Sequence, residues 1–327
     1  MAQPGTRKAL MRRPEVVAAL APAALAASAR SYAAASKAEG TRRAYRADWQ
    51  AFERWCSANG VDPIPARPEA LALYVTAMAD AGRKVASIER ALAAISQAHK
   101  AAGHESPRGA AAVRAVVQGI RRTHGTAQAQ KAPVLVADLR RMVEALPATL
   151  KGARDRALLL VGFAGAFRRS ELVALDVADL EFGADGLTIT IRRSKTDQEG
   201  QGRKVGIPFG SSPSACPVRA LRAWLDAANI ATGAVFVGVT RHGTSTGNRL
   251  SPVDVARVVK AAALVVGLEP SRLGGHSLRA GLATSAAKAG KSERAIMGQT
   301  GHRSVVMVRR YIRDAELFTD NAAAGLL

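Results

Sequence analysis

Residues 180–208 read LEFGADGLTITIRRSKTDQEGQGRKVGIP, and this stretch decides the fold class because it carries the strand pattern of the chain. Apolar and polar residues alternate from Leu187 to Arg192, with the two-residue period of a strand that has one buried face. The turn GADG and the loop SKTDQEGQGR separate this run from two shorter ones, LEF and KVGIP. The pattern predicts a small antiparallel sheet, with Gly200 and Gly202 at the tip of its second hairpin.

Helical patterns occupy the sequence on both sides of this sheet. Residues 36–124 contain four helical segments and no strand pattern, which predicts a separate all-α domain. Thr41 is placed to cap the first of these helices. The predicted fold class is therefore mainly α with a small antiparallel β-sheet. Further helices are expected at residues 136–146, 151–166, 216–229, 251–266, 277–289, 291–298 and 304–313.

Composition divides the chain into four segments. Residues 1–34 form an Ala-rich leader, which we expect to be poorly ordered. Its likeness to a secretory signal is weak, because Pro14 interrupts the basic part and Pro22 interrupts the apolar part. The other expected segments are a helical domain at 35–125, a polar linker at 126–135 and a mixed domain at 136–327.

The chain carries 47 Lys and Arg residues against 26 Asp and Glu, which gives a formal net charge of +21. A protein with this charge is expected to bind a polyanion, either nucleic acid or an anionic membrane surface. Residues 1–130 hold 19 basic and 9 acidic residues, so both halves of the chain are basic. No apolar run reaches the length of about 20 residues that a transmembrane helix needs.

Several cofactor and metal motifs are absent from the sequence. Cys56 and Cys216 lie far apart without CxxC spacing, which argues against a disulfide scaffold and a cysteine zinc site. The sequence has no phosphate-binding GxxxxGK loop, no GxGxxG after a strand and no HExxH, and its six histidines form no metal-ligand pair on a helix. We therefore expect no metal and no cofactor.

Two short segments place charged residues beside apolar helices. FRRSEL puts Arg168 directly after an apolar helix and Glu171 three residues later. HSLRAG puts His276 and Arg279 at positions i and i+3, so their side chains leave one face of a helix. Taken singly, the first is compatible with a helix terminus that carries a surface ion pair, and the second with a capped helix start.

The segment QTGHRSVVMVRRYIR adds His302 and, nine residues later, Tyr311. A single tyrosine in an amphipathic helix more often packs in a core. Together with Lys195 of the hairpin loop, however, these residues meet the needs of phosphoryl transfer on a DNA backbone. Paired guanidiniums bind phosphate oxygens in a bidentate manner. A tyrosine hydroxyl can attack phosphorus, and a lysine can protonate the leaving deoxyribose oxygen.

The motifs RRSEL, SKTD, HSLRAG and TGH, followed by a terminal tyrosine, resemble in their order the tyrosine recombinase (phage integrase) family over residues 36–327. The resemblance implies a helical, SAM-like core-binding domain and a catalytic domain that close around DNA as a clamp. It also assigns roles within these motifs. The implied catalytic residues are Arg168, Lys195, His276, Arg279, His302 and Tyr311, with Glu171 in support.

The same resemblance implies a reaction and its partners. Tyr311 attacks the scissile phosphate and forms a 3′-phosphotyrosine without ATP or metal, in the site-specific recombination or integration of DNA. The implied partner is double-stranded DNA with paired recombination sites, on which the protein forms a homotetramer that exchanges C-terminal segments. The implied location is the cytoplasm, in association with the nucleoid and without a membrane partner. Five arginines of the helical domain are candidate phosphate contacts: Arg42, Arg43, Arg46, Arg121 and Arg122.

Two alternative functions remain open from the sequence. A type IB topoisomerase shares the tyrosine and arginine chemistry but relaxes supercoils as a monomer, and the HSLRAG box with its preceding helical domain favours a recombinase. A DNA-binding relative without catalytic activity is the second alternative, and the complete set of six residues argues against it.

Overall fold

The computed structural model describes residues 22–127, 130–194, 197 and 199–316. The chain divides into two compact units, Met1–Gln128 and Ala129–Leu327. None of the helices in these described residues is long and apolar enough to cross a membrane. The predicted fold class, mainly helical with a small antiparallel sheet, is confirmed.

Four of the five α-helices in the described part of the first unit supply residues to a small apolar core, to which the described side chains of the first helix do not contribute. Phe52 is fully buried in this core. His99 is also fully buried. Its Nε2 accepts the Ala66 N–H at 2.9 Å and its Nδ1 lies 2.9 Å from the Ile95 carbonyl oxygen, so both ring nitrogens are used by the backbone. The helices are α1 (Pro22–Ala35), α2 (Glu39–Ala58), α3 (Pro68–Asp80), α4 (Val85–Ala101) and α5 (Ala111–His124).

The first two helices begin at positions that the sequence analysis does not anticipate. α1 lies within the segment expected to be a poorly ordered leader, and its Leu25 is exposed. α2 begins two residues before Thr41, with Ala38 at the N-cap position and without a side-chain cap. Glu39 in the first turn ion-pairs with Arg43 one turn later at 2.7 Å. An acidic residue at this end also suits the helix dipole, which favours the earlier start.

The three-stranded sheet of the second unit lies where the alternating pattern predicts it. Strand β2 pairs antiparallel with β1 on one side and with β3 on the other. Leu187 is paired with Ile207 and Ile189 with Val205, so the apolar face of β2 continues onto β3. The strands are β1 (Leu180–Phe182), β2 (Gly186–Ile191) and β3 (Arg203–Pro208).

Helices surround this sheet and supply most of the core of the second unit. α7 is buried almost all round from Ala157 to Phe163. Trp224 is fully buried, and its indole N–H donates to the Val235 carbonyl oxygen at 2.7 Å. The helices are α6 (Val136–Glu144), α7 (Leu150–Ala164), α8 (Arg169–Ala174), α9 (Pro217–Ala227), α10 (Pro252–Val265), α11 (Ser277–Lys288), α12 (Glu293–Thr300) and α13 (Val305–Glu316).

A second hairpin, β4 (Val237–Val239) and β5 (Ser245–Arg249), has no counterpart in the sequence analysis. The sequence of β5 is polar throughout and has no alternation to reveal it. Tertiary contacts hold it instead, because Arg249 donates to the carbonyl oxygens of Val173 at 2.7 Å and Leu175 at 3.0 Å. The hairpin thereby braces the C-terminal end of α8.

Backbone contacts fix α11, which contains the predicted catalytic residue Arg279 and has His276 at its N-cap position. The Val134 N–H donates to the Ser277 carbonyl oxygen at 3.0 Å at the start of this helix. A Cβ at Gly281 would lie only 1.9 Å from the Val134 carbonyl oxygen. Glycine at position 281 is therefore required by this close approach of two backbone segments.

Candidate active site

Arg168 and Glu171 are placed by the turn between α7 and α8. Ala166 has a φ of 49°, in the left-handed region, and turns the chain out of α7. Arg168 then occupies the N-cap position of α8, and the Glu171 carboxylate accepts its backbone N–H at 2.9 Å and its Nη1 at 2.5 Å. Since the Glu171 side chain is only 1 % exposed, this carboxylate holds the guanidinium of Arg168 from inside the protein.

Arg279 lies in the first turn of α11 and is the most deeply buried arginine of the site, at 1 % exposure. Its Nη1 donates to the Ala166 carbonyl oxygen at 2.8 Å, which ties it to the turn before Arg168. Burial, followed by the neighbouring charge of Arg168, lowers the pKa of Arg279 to about 10. The group stays cationic at neutral pH. Among the described residues its Nη2 is buried without a hydrogen-bond acceptor.

His276 and Tyr311 come together from elements 35 residues apart in the sequence. The Nε2 of His276 lies 3.1 Å from the Tyr311 hydroxyl oxygen. Burial, and then the charges of Arg279 and Arg168, lower the pKa of His276. The imidazole is therefore neutral near pH 7. A neutral imidazole beside a phenol can accept the phenolic proton, which suits activation of Tyr311 as a nucleophile.

His302 follows α12 at a turn made by Gly301, which has the left-handed φ of 65°. The hydroxyl of Thr300 donates to the Ile296 carbonyl oxygen at 2.7 Å, so it must accept from the Nδ1 of His302, also at 2.7 Å. The rings of His302 and Tyr311 are 6.0 Å apart. Burial, and then the charges of neighbouring arginines, lower the pKa of His302 to about 4.

Lys195 lies outside the described residues, but the described part of its loop is closed by hydrogen bonds. The backbones of Ser194 and Asp197 exchange two hydrogen bonds, at 3.2 and 3.1 Å. The Asp197 carboxylate accepts the N–H groups of Gln201 at 3.1 Å and Gly202 at 2.7 Å. These bonds lower the pKa of Asp197, first of all the bond from Gly202.

The structure thus brings Arg168, Glu171, His276, Arg279, His302 and Tyr311 into one site. The five arginines predicted to contact phosphates belong to the other unit, where all of them are exposed. Arg43 is ion-paired with Glu39, and Arg121 with Glu89 at 2.6 Å. Within the described residues, no group of three or more His, Cys, Asp or Glu side chains is arranged to hold a metal ion.

Sequence analysis missed one cation of this site, Arg203 at the start of β3. Its Nη2 lies 3.7 Å from the Glu171 carboxylate, and its Nη1 donates to the Gln299 carbonyl oxygen at 3.2 Å. A signal for it exists in the strand alternation. Arg203 has the same parity as the buried Val205 and Ile207, which places a charged residue on the apolar face of the strand.

Comparisons with known proteins define the class of this chain. Residues 134–317 match the phage integrase family, which covers more than half of the sequence. The chain therefore belongs to the phage integrase family.

Particular relatives sharpen this assignment. The chain is 42 % identical over 291 residues to an integrase/recombinase XerD homolog of Selenomonas ruminantium, covering 88 % of this chain and 85 % of the relative. It is 23 % identical over 287 residues to the recombinase Cre of Escherichia phage P1, covering 82 % of each. The predicted function is confirmed: the chain is a tyrosine-type site-specific recombinase, an enzyme that acts on DNA.

Solved structures show the same fold at low sequence identity. The XerH recombinase bound to a palindromic difH substrate, in a post-cleavage complex, matches with a TM-score of 0.58 and 17 % identity, over 84 % of this chain and 76 % of that chain. A lambda integrase dimer bound to a COC′ core site matches with a TM-score of 0.57 and 21 % identity, over 89 % and 94 %.

Proposed function

We propose that this site cleaves and rejoins DNA through a covalent 3′-phosphotyrosine on Tyr311. The observation that carries the proposal is the 3.1 Å contact between the Tyr311 hydroxyl and the neutral His276, close to the buried Arg279 and the partly buried Arg168. The phenolic oxygen attacks phosphorus while its proton passes to His276. The bond from phosphorus to the 5′ oxygen breaks, and Lys195 protonates that oxygen. A 5′-hydroxyl of a partner strand then reverses these steps.

The guanidiniums of Arg168 and Arg279 bind the non-bridging oxygens of the phosphate. Both are preorganised, one by the Glu171 carboxylate and the other by the Ala166 carbonyl. Preorganised donors stabilise charge that develops in the transition state without a cost of reorganisation during the reaction. The Nη2 of Arg279, which lacks an acceptor among the described residues, gains one when phosphate enters.

His302 contributes a hydrogen bond that depends on the phosphate itself. Its Nδ1 hydrogen is engaged by Thr300, so the neutral ring presents an acceptor at Nε2. A phosphate anion at the site opposes the positive charges that lower the pKa of His302. Phosphate binding therefore raises the pKa of His302 and favours the protonated ring, which donates from Nε2 to a phosphate oxygen.

The first unit supplies the core-binding domain in this proposal, with segment boundaries at residues 1–34, 35–125, 126–135 and 136–327. Its exposed arginines neutralise backbone phosphates, so affinity for DNA falls steeply with salt. A homotetramer on two DNA sites passes C-terminal segments between neighbours, in a nucleoid-associated, cytoplasmic complex. In this proposal four apolar residues of the segment dock on the neighbouring protomer. They are Leu317, Phe318, Leu326 and Leu327, and they lie outside the described residues. The proposal of segment exchange is wrong if deletion of residues 316–327 leaves recombination and tetramer assembly intact.

The test uses a supercoiled plasmid that carries two copies of a candidate site, taken from inverted repeats in DNA that flanks the gene. We expect deletion or inversion products, without ATP or metal, only when both copies are present. Relaxation of a plasmid without any site, by the monomer, or specific binding of both copies without cleavage of either, would contradict the proposal.

A further inference from the structure

Arg203 is a cation of the active site that none of the family motifs includes. It enters from β3, the strand that follows the Lys195 loop, and its side chain is 21 % exposed. Burial lowers the pKa of Arg203, the Glu171 carboxylate opposes this effect, and the charge of Arg168 adds to it. A partly buried cation close to the buried Arg279 and the partly buried Arg168 is costly, because three like charges share one poorly solvated site.

Two contacts of Arg203 reach opposite sides of the site. On one side, its Nη2 lies 3.7 Å from Oε2 of Glu171, while Oε1 of the same carboxylate accepts from Arg168. On the other side, its Nη1 donates to the Gln299 carbonyl oxygen at 3.2 Å, in the last turn of α12. A Cβ at Gly301 would lie 2.8 Å from Nε of Arg203, so the turn before His302 rests directly on this side chain.

A second contact, from a side chain of α12, joins this helix to β3. The side-chain amide of Gln299 donates to the Gly206 carbonyl oxygen of β3 at 3.0 Å and to the Ala164 carbonyl oxygen at 2.7 Å. The end of α12, β3 and the end of α7 are therefore connected at one point, and Arg203 supplies the charged connection. Among the described residues, nothing accepts a hydrogen bond from its Nη2.

We propose that Arg203 is a positioning residue of the recombination reaction, which holds the Glu171 carboxylate at Oε2 while the Arg168 side chain binds Oε1, and which supports the turn that presents His302. The proposal rests on the proposed function, because it matters for rate only if Arg168 and His302 act on the phosphate. Arg203 itself does not contact the reacting atoms in this account.

The test compares full-length Arg203→Met and Arg203→Lys with the control Lys204→Met. Lys204 is the next residue of β3, is exposed, and pairs at 3.8 Å with the exposed Glu181. Formation of the covalent adduct is measured in a single turnover at saturating nicked DNA. We expect Arg203→Met to lower the rate about 10- to 100-fold, as a small misplacement of catalytic groups does, with DNA affinity within about threefold of the control.

A second readout distinguishes positioning from a general loss of stability. His302 is titrated by NMR in the DNA-free protein, where the charged or titratable neighbours that act on it are Arg279, Arg168, His276 and Arg203. The pKa of His302 should rise in Arg203→Met, because one positive neighbour is removed, and should stay near the wild-type value in Arg203→Lys, which keeps the charge. Lys204→Met should leave it unchanged.

Equal adduct rates for Arg203→Met and Lys204→Met would overturn the role of Arg203 while leaving the proposed function intact. If the pKa of His302 is the same in Arg203→Met as in the wild type, the proposal that the positive charge of Arg203 lies close to His302 is likewise overturned. If the wild-type enzyme formed no adduct on a DNA that it recombines, the proposed function itself would fail, and with it the effect on rate.

Discussion

Glu171→Gln replaces a carboxylate shared by two arginines with a neutral amide of the same shape. The Glu171 side chain is 1 % exposed, 2.5 Å from Nη1 of Arg168 and 3.7 Å from Nη2 of Arg203. The carboxylate also accepts the backbone N–H of Arg168 at 2.9 Å. The amide would turn one NH2 group toward these donors and remove the negative charge that both guanidiniums face.

The size of the effect follows from the burial of the three groups. Loss of one partner of a fully buried ion pair costs about 3–5 kcal/mol. Arg168 and Arg203 are 17 % and 21 % exposed, so water recovers part of this loss. We therefore expect Glu171→Gln to destabilise the second unit by about 2–4 kcal/mol. Glu181→Gln is the matched control, since Glu181 and its partner Lys204 are exposed and such pairs contribute about 0–1 kcal/mol.

Hydrogen exchange of the full chain measures this difference in each unit separately. Amides of α7 and α8 should exchange faster in Glu171→Gln than in Glu181→Gln, whereas amides of α3 and α4 in the first unit serve as an internal reference. The measured quantity is the free energy of opening of the α8 amides. If it differs by less than about 0.5 kcal/mol between the two variants, the view that this carboxylate organises the site is refuted.

Two further predictions concern proton transfer and backbone packing. The rate of adduct formation should stay constant as the pH falls from 8 to 6.5 and should decline only below pH 6.5. The reason is that the pKa of His276 is lowered and that its neutral form accepts the Tyr311 proton. A decline centred above pH 6.5 in a pH–rate profile would contradict this. Gly281→Ala should cost at least about 1–3 kcal/mol in urea unfolding, because its Cβ would lie 1.9 Å from the Val134 carbonyl oxygen. The control Gly298→Ala meets no atom within 4 Å among the described residues and should not destabilise the fold, so equal losses in both would contradict the packing argument.

The periodicity of apolar residues predicted most of the architecture, because burial of one face of a helix or strand produces a regular spacing of apolar residues in the sequence. Leu187, Ile189 and Ile191 are buried as their alternation requires. The elements that were not predicted lack this spacing. α8 has six residues, too few to show a helical period, and β5 is polar and held by the contacts of Arg249.

The sequence motifs named residues that the structure brings together, but they could not give the geometry in which these residues meet. Spacing placed Glu171 beside Arg168 because the two are one helical turn apart. No local pattern could place the His276 ring against Tyr311, since that contact depends on how α13 packs against α11. The predicted roles of Lys195 and of the DNA-contacting arginines stay predictions. Arg203 was overlooked because a charged residue at the edge of a strand ordinarily indicates solvent.

The most direct test of the account is capture of the covalent intermediate on a nicked suicide substrate, which loses a short strand on cleavage and prevents rejoining. The wild-type enzyme should accumulate a denaturation-resistant adduct whose phosphorus is bonded to Tyr311 and to the 3′ side of the cleaved strand. Tyr311→Phe should bind the same DNA and accumulate none. An adduct that persists in Tyr311→Phe, or one linked through the 5′ side, would contradict the assignment of the nucleophile and the mechanism built on it.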